Sequence, residues 1–299
     1  MNGAHAMIGL RGELRHDESM ARHTTWRVGG PAERFYRPAD AEDLADYLAQ
    51  LPEGEPVFWL GLGSNLLVRD GGIRGSVIAT SGRLNHLRLL DGDRLYAEAG
   101  VSCAKVAREA ARAGLIGAEF LAGIPGTLGG ALAMNAGAFG GETWPIVQRV
   151  YTLDRHGVRR TRTPADYHVG YRSVQGPAGE WFVAAELQLV PGDTVATQAR
   201  IKALLARRGE TQPTNQPSAG SVFRNPPGDY AARLIEACGL KGACEGAACV
   251  SAKHANFIVN TGGATAAQVE ALIQRVADTV ERKHGVSLQR EVRIVGEEA

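Results

Sequence analysis

Residues 122–140 read A-G-I-P-G-T-L-G-G-A-L-A-M-N-A-G-A-F-G. No ordinary core helix or strand is built from that composition. Gly123, Gly126, Gly129, Gly130, Gly137 and Gly140, with Gly141 just beyond, are expected to let the backbone take positive φ and to let another body come close. A backbone stripped of side chains can turn its N–H groups toward an anion or a flat ring. A flexible Gly/Ser linker is the plain alternative. Ile124, Leu128, Leu132, Met134 and Phe139 argue against it, because they interrupt the run with side chains that can be buried.

A second glycine-rich turn lies upstream. Val57–Leu60 is apolar and leads into Gly61-Leu62-Gly63-Ser64-Asn65-Leu66-Leu67-Val68. Strand, tight turn and second apolar run are the parts of a phosphate nest. This is not the dinucleotide fingerprint, since Leu66 stands where the third glycine belongs and no amphipathic helix follows. Two such loops in one chain point to a large cofactor with a pyrophosphate.

The chain has 299 residues, room for two or three small domains. With 33 basic and 32 acidic side chains the net charge is +1, which implies no polyanionic partner. No apolar run approaches the ~20 residues of a membrane span. Residues 1–15 carry no charged-then-apolar signal pattern, and the expected compartment is the cytosol. Cys103, Cys238, Cys244 and Cys249 read as buried or idle thiols; the last three crowd near His254 but lack paired C-x-x-C spacing, so no metal site is expected.

Periodicity and caps give an α+β chain. Asp40 precedes a helix with Leu44, Tyr47, Leu48 and Leu51 on one face, and Ser102 one with Val106, Ala107 and Ala110 inward and Gly114 beyond it. Asp193 precedes a helix ending near Gly209, and Asp229 one ending at Gly239. Thr265 and Gln268 form a capping box before a helix that stops at Gly285. Strands are expected at 57–60, 77–79, 95–97, 147–153, 181–190, 257–259 and 292–295. Their irregular mixture with helices speaks against a doubly wound sheet. Pro191-Gly192-Asp193 marks the main boundary: residues 1–192 in two lobes, roughly 1–82 and 83–192, then a smaller domain, 193–299.

Thr24-Thr25-Trp26-Arg27-Val28-Gly29-Gly30-Pro31-Ala32, residues 61–68, residues 122–140, Tyr171-Arg172-Ser173, Ala219-Gly220-Ser221-Val222-Phe223-Arg224-Asn225-Pro226, Lys253-His254-Ala255-Asn256-Phe257-Ile258-Val259-Asn260 and Glu291-Val292-Arg293 occur in that order. In these segments the chain resembles the UDP-N-acetylenolpyruvoylglucosamine reductases. The G-S-V-F-x-N-P and K-H-A-N-F blocks are the specific part; the glycine loops alone would say only FAD. The resemblance implies a two-lobed FAD-binding region of the vanillyl-alcohol-oxidase/PCMH type, followed by a smaller α+β substrate domain. It implies FAD, NADPH as co-substrate, and a sugar nucleotide whose enolpyruvyl ether is reduced; the FAD is expected to be non-covalent because neither glycine-rich loop contains a His or Cys that could attach it. The FAD is expected on Gly61, Gly63, Ser64, Asn65 and Leu66 of one loop. On the other it is expected on Gly123, Pro125, Gly126, Thr127, Gly130, Ala131, Asn135, Gly137 and Ala138.

The implied chemistry needs hydride at the terminal carbon, charge stabilisation at the carboxylate and a proton for the adjacent carbon. A flavin relays hydride because no side chain can. Ser221 matches the proton donor; by pattern alone it would read as a turn serine. Arg172 matches a guanidinium that grips a carboxylate while staying charged, and by itself it would be one surface arginine among many. Glu291 matches the third catalytic residue; since an anion would repel the enolate, it helps only if protonated or bridged through a cation, so the role predicts a raised pKa. Tyr171, Arg224, Asn225, His254, Asn256 and Arg293 fall in matching blocks as substrate ligands, although His254 equally suits a partly buried structural histidine. Arg224 stands where the family commonly has lysine. The short interval between Arg172 and Ser221 suits the shorter class of the family, without its tyrosine loop. The alternatives are another FAD-dependent sugar or alcohol oxidase or dehydrogenase on the same scaffold, or a non-catalytic flavin- or nucleotide-binding protein.

Overall fold

The computed structural model describes residues 7–299; the first part of the stretch read for a signal, residues 1–6, lies outside the described residues. Two compact units interleave along the chain. One comprises the described residues up to Arg15, Arg34–Gly61 and Gly75–Leu205; the other comprises His16–Glu33, Leu62–Arg74 and Ala206–Ala299. The linear division after residue 192 remains a proposal about domain organisation.

The first unit has two cores. In one, Asp40 caps the Ala41–Gln50 helix by accepting from the N–H groups of Glu42 and Asp43. The helix turns Leu44, Tyr47 and Leu48 into a cluster with Tyr36, Ile78 and Leu84. The associated sheet has the order Glu13–Ser19, Pro31–Arg37, Ile73–Ala79, Val57–Leu60, with the last two strands parallel from Val57↔Ser76 to Leu60↔Ala79. The Tyr36 and Tyr47 rings stack at 3.8 Å.

The second core lies under a five-stranded antiparallel sheet. Its order is Arg159–Arg162, Val147–Asp154, Glu180–Gln188, Arg94–Glu98, Leu87–Leu89. The Cys103–Arg112 helix, capped by Ser102, contributes Val106, Ala107, Ala110 and Ala111 to it. Within the glycine-rich stretch a short helix forms, Leu128–Met134, which the composition did not suggest. The Thr194–Thr211 helix includes Gly209 and ends at Thr211, near where it was expected to end. A glycine inside an exposed helix costs about 1 kcal/mol, which this 18-residue helix tolerates.

The second unit is built on the Ala266–His284 helix, whose Thr265/Gln268 capping box and left-handed Gly285 are as expected. Val269, Leu272, Ile273 and Val276 pack with Leu234 and Ile235 of the Ala231–Ala237 helix. That helix starts one residue later than Asp229 would cap it, with Tyr230 in the cap position. Two early segments are tied in here by polar contacts. Trp26 is fully buried and its indole N–H donates to the Ile258 carbonyl at 2.7 Å. Asp70 accepts from the N–H groups of Ala266 and Ala267, and Arg69 forms a two-pronged pair with Glu270. Leu66–Val68 pairs in parallel with Arg293–Val295.

The cysteines correct one expectation. Cys103 and Cys238 are free and buried, as read, but Cys244 and Cys249 form a disulfide. They face each other across a hairpin, Cys244–Glu245 against Ala248–Val250. Antiparallel register brings opposite residues within bonding reach whatever their spacing in sequence. Among the described residues no cluster could hold a metal ion and no helix is long and apolar enough to cross a membrane.

Asp43 organises the first core. Burial alone would raise its carboxyl pKa. The Tyr36 hydroxyl and the N–H groups of Ala39, Arg11 and Gly12 outweigh burial and hold it below the usual range. A depressed native pKa gives stability that is complete above the unfolded value, near 3.9, and is lost as pH falls through the native one. Asp43→Ala should therefore cost about 2–4 kcal/mol in urea unfolding at pH 7. The gap to wild type should narrow on acidification toward pH 3; a gap independent of pH would contradict the role given to the charge.

Candidate functional site

The glycine-rich stretch uses its glycines differently from expectation. Of its glycines only Gly140 has positive φ, at 84°; the other left-handed residues are Asn135 (46°) and Phe139 (53°). Gly123, Gly129, Gly137 and Gly141 instead make room. A Cβ on Gly123 would lie 2.3 Å from the Phe139 ring, on Gly129 2.8 Å from Ala99, and on Gly137 2.5 Å from the Gly141 carbonyl. Several of the N–H groups expected to face a ligand are bonded within the protein: Gly126 to Ile124, Leu128 to Val101, Gly129 to Ala99, and Gly130 to the Thr127 hydroxyl that caps the short helix. Ala131 faces the core, while Gly137 and Ala138 form a small hairpin with Gly141 and Glu142.

The two glycine-rich loops nevertheless meet in the first unit. A Cβ on Gly61 would come 2.5 Å from the Thr127 hydroxyl, so only glycine lets the loops touch there. Around Gly140 nothing lies within 4 Å of a Cβ position, and at Gly130 only the Thr127 hydroxyl, at 3.7 Å. The Cβ positions of Gly130 and Gly140 leave room for a ligand to approach this backbone, which a diphosphate and a flat ring system both require, so the residues present fit FAD. Gly63 and Asn65, further along the first loop, belong to the second unit. Gly63 is left-handed against the His23 carbonyl; the Asn65 amide donates to the Glu291 carbonyl and its own carbonyl accepts from Arg293. Ser64 links them, and Leu66 is buried at the start of its strand.

Arg172 lies in a hairpin turn. His168–Gly170 pairs with Ser173–Gln175, and Gly170↔Ser173 closes a two-residue loop made of Tyr171 and Arg172. Arg172 has φ of 52°, a conformation that glycine or asparagine takes at lowest cost. A strained arginine at such a turn is held by its surroundings: its Nη1 and Nη2 donate to the carbonyls of Asn135 (3.3 Å) and Gly137 (2.8 Å). Tyr171 is half exposed, with the guanidinium over its ring. Beside this turn is a cavity of about 560 Å³ lined by Asn135, Glu142, Trp144, Tyr167 and Tyr171 among others.

Ser221 and Glu291 are brought together in the second unit. Gly220, with φ of 74°, turns the chain into Ser221-Val222-Phe223. The Val222 carbonyl accepts from the N–H groups of Glu291 and Val292, Phe223 bridges to Arg290, and the Arg224 N–H reaches Gln289. The two residues thus stand on adjacent stretches of backbone. The motif asparagines serve that backbone. Asn256 is buried and clips Phe223 from both sides, its Oδ1 accepting from the N–H at 3.0 Å and its Nδ2 donating to the carbonyl at 2.8 Å. Asn225 accepts from the Ala231 N–H at the start of a helix. His254 accepts the Asn256 N–H at Nδ1; burial first, and then the nearby Lys241 charge, push its pKa down and favour neutral imidazole. Arg293 is exposed at the start of its strand.

The clip is testable. Asn256→Ala leaves a buried N–H and a buried carbonyl of Phe223 without that partner, and should lower stability by about 2–4 kcal/mol in thermal or urea unfolding. An unchanged unfolding midpoint with a raised KM for the sugar nucleotide would instead make Asn256 a ligand.

Two families match the chain: residues 32–161 match the FAD binding domain, and residues 212–295 match the UDP-N-acetylenolpyruvoylglucosamine reductase C-terminal domain. The chain is 68% identical over 286 residues to the UDP-N-acetylenolpyruvoylglucosamine reductase of Alkalilimnicola ehrlichii, covering 96% of each. It is 60% identical to that of Nitrosococcus oceani over 99% of this chain and 100% of the other. The crystal structure of the reductase from Thermus caldophilus superposes with a TM-score of 0.82 at 35% identity, covering 96% of this chain and 99% of that one. The expected α+β, FAD-binding architecture is therefore the observed one, and this chain belongs to the UDP-N-acetylenolpyruvoylglucosamine reductase family of FAD-dependent oxidoreductases.

Proposed function

We propose that this chain reduces the enolpyruvyl ether of UDP-N-acetylglucosamine to UDP-N-acetylmuramate for peptidoglycan synthesis, with NADPH as the source of hydride and the cytosol as its compartment. Family membership supports the substrate class. The observation that carries the residue assignment is the main-chain pairing of Val222 with Glu291 and Val292, which sets Ser221 beside Glu291. When bound, non-covalent FAD supplies the hydride relay between nicotinamide and substrate.

The side chains do the remaining work. As hydride reaches the terminal carbon, the C=C π pair moves onto the adjacent carbon and its carboxylate. Arg172, permanently cationic and fixed by two carbonyls, stabilises that growing negative charge. Ser221 gives its hydroxyl proton to the adjacent carbon, forming the new C–H bond, and water restores the proton. Glu291 assists either as the acid or bridged through a cation, since a bare carboxylate would oppose the enolate. His254, neutral by burial, can offer a hydrogen bond to the sugar nucleotide without adding charge.

The two half-reactions separate these roles. NADPH-driven bleaching of the flavin requires no proton donor at carbon, so Ser221→Ala should bleach at close to the wild-type rate. Anaerobic reoxidation by the enolpyruvyl substrate should fall by ~10²–10⁴-fold, with part of the loss recovered in Ser221→Cys. Equal slowing of both half-reactions, or of neither, would remove Ser221 from the proton-donor role.

A further inference from the structure

Asn135 sits in the middle of the contacts around Arg172. It follows the Leu128–Met134 helix in the left-handed conformation, with its N–H closing back on Ala131 and Leu132. Asparagine is common at such helix ends, second only to glycine, and a capping role would need nothing more than this φ. Its side chain does more. It is 1% exposed and makes three bonds to chain segments outside that helix. Nδ2 donates to the Gly170 carbonyl at 3.1 Å and to the Glu142 carboxylate at 2.9 Å, while Oδ1 accepts from the Trp144 N–H at 3.1 Å. The amide has one consistent orientation, because Trp144 offers only a donor and the other two only acceptors. Both of its N–H donors are thereby engaged by protein, which leaves the side chain little to offer a flavin.

The bond to Gly170 bears directly on Arg172. Gly170 is the residue that opens the Tyr171-Arg172 turn, and the backbone carbonyl of Asn135 itself accepts from Arg172 Nη1. Gly137, two residues on, accepts from Nη2. One residue therefore fixes the base of the turn with its side chain and the guanidinium at its tip with its backbone. A guanidinium on a two-residue hairpin takes its position from the groups around it, and a displacement of about 1 Å in a catalytic group can cost ~10²-fold in rate.

We propose that Asn135 is a positioning residue that holds Arg172 in its productive geometry, with Glu142 orienting its amide. The inference rests on the reading of Arg172 as the charge-stabilising group of the substrate half-reaction. Asn135→Gly tests it, because glycine takes the left-handed cap freely and only the amide is lost. Expected are wild-type FAD content, wild-type flavin bleaching by NADPH, and reoxidation by the enolpyruvyl substrate slowed ~10–100-fold. Arg172→Ala should slow the same half-reaction, and the double variant should be no slower than Arg172→Ala alone. If Asn135→Gly does not fold, Glu142→Ala leaves the cap intact, removes one of the three bonds, and should slow reoxidation alone by a smaller factor. Wild-type reoxidation in the Asn135 or Glu142 variant, or slowing that multiplies onto that of Arg172→Ala, overturns the positioning role while Arg172 stands. Wild-type reoxidation in Arg172→Ala overturns both roles together, a pattern distinct from the first.

Discussion

The close approach of main chain at residues 122–141 is the constraint on which the first unit's chemistry depends. Gly129 lies against Ala99, Gly137 against the Gly141 carbonyl, Gly123 against Phe139, and Gly141 against the Phe120 ring; at each a Cβ would stand closer than 3.0 Å to an existing atom. Because these contacts close, the start of the short helix can bond Ala99 and Val101 beside the five-stranded sheet. Its other end delivers the carbonyls of Asn135 and Gly137 to the Arg172 guanidinium. An alanine at Gly137 would meet Arg172 Nη1 at 3.0 Å as well as the Gly141 carbonyl, disturbing the loop and the cation together.

Backbone strain is distributed to match. The left-handed non-glycine residues of this region are Asn135, Phe139 and Arg172. Such a conformation costs of order 1–3 kcal/mol for a residue with a side chain, and persists only where the surroundings over-determine it. Phe139 covers Gly123 with its ring, and Asn135 and Arg172 are each held by several hydrogen bonds. Glycine would relieve the strain at Arg172 but would remove the cation.

What the sequence made legible was local. Asp40, Ser102 and the Thr265/Gln268 box announced their helices because a cap is a contact between residues two or three apart. The short helix after Thr127 was hidden by its own glycines, although Thr127 caps it in the same way. Long-range arrangements were not legible. Trp26 joins the second unit through a bond to Ile258, 232 residues away, and no periodicity in the segment around it hints at that partner. The Cys244–Cys249 bond likewise depends on hairpin register, not on a spacing motif. Ser221, Arg172 and Glu291 stood out only through the resemblance, for the hairpin turn that singles out Arg172 depends on its φ, which no residue name reveals.

The asparagines show why sequence motifs blur ligand and scaffold. Asn65, Asn135, Asn256 and Asn260 all lie in blocks matching the family, and each uses its amide on protein backbone. Loops that must expose main chain to a ligand cannot satisfy their buried N–H and carbonyl groups through helix or sheet, and an unsatisfied buried group costs about 1–3 kcal/mol. Asparagine carries its donor and its acceptor on two separate atoms of one short, planar group, so one residue can clip both groups of a neighbour, as Asn256 does at Phe223. A hydroxyl or a guanidinium reaching out of such a loop is then free to be chosen for chemistry, because the amides beside it carry the architecture. On the proposed reading that separates Ser221 from the asparagines of its loop, while Arg172 combines both parts, its guanidinium resting on the Asn135 and Gly137 carbonyls.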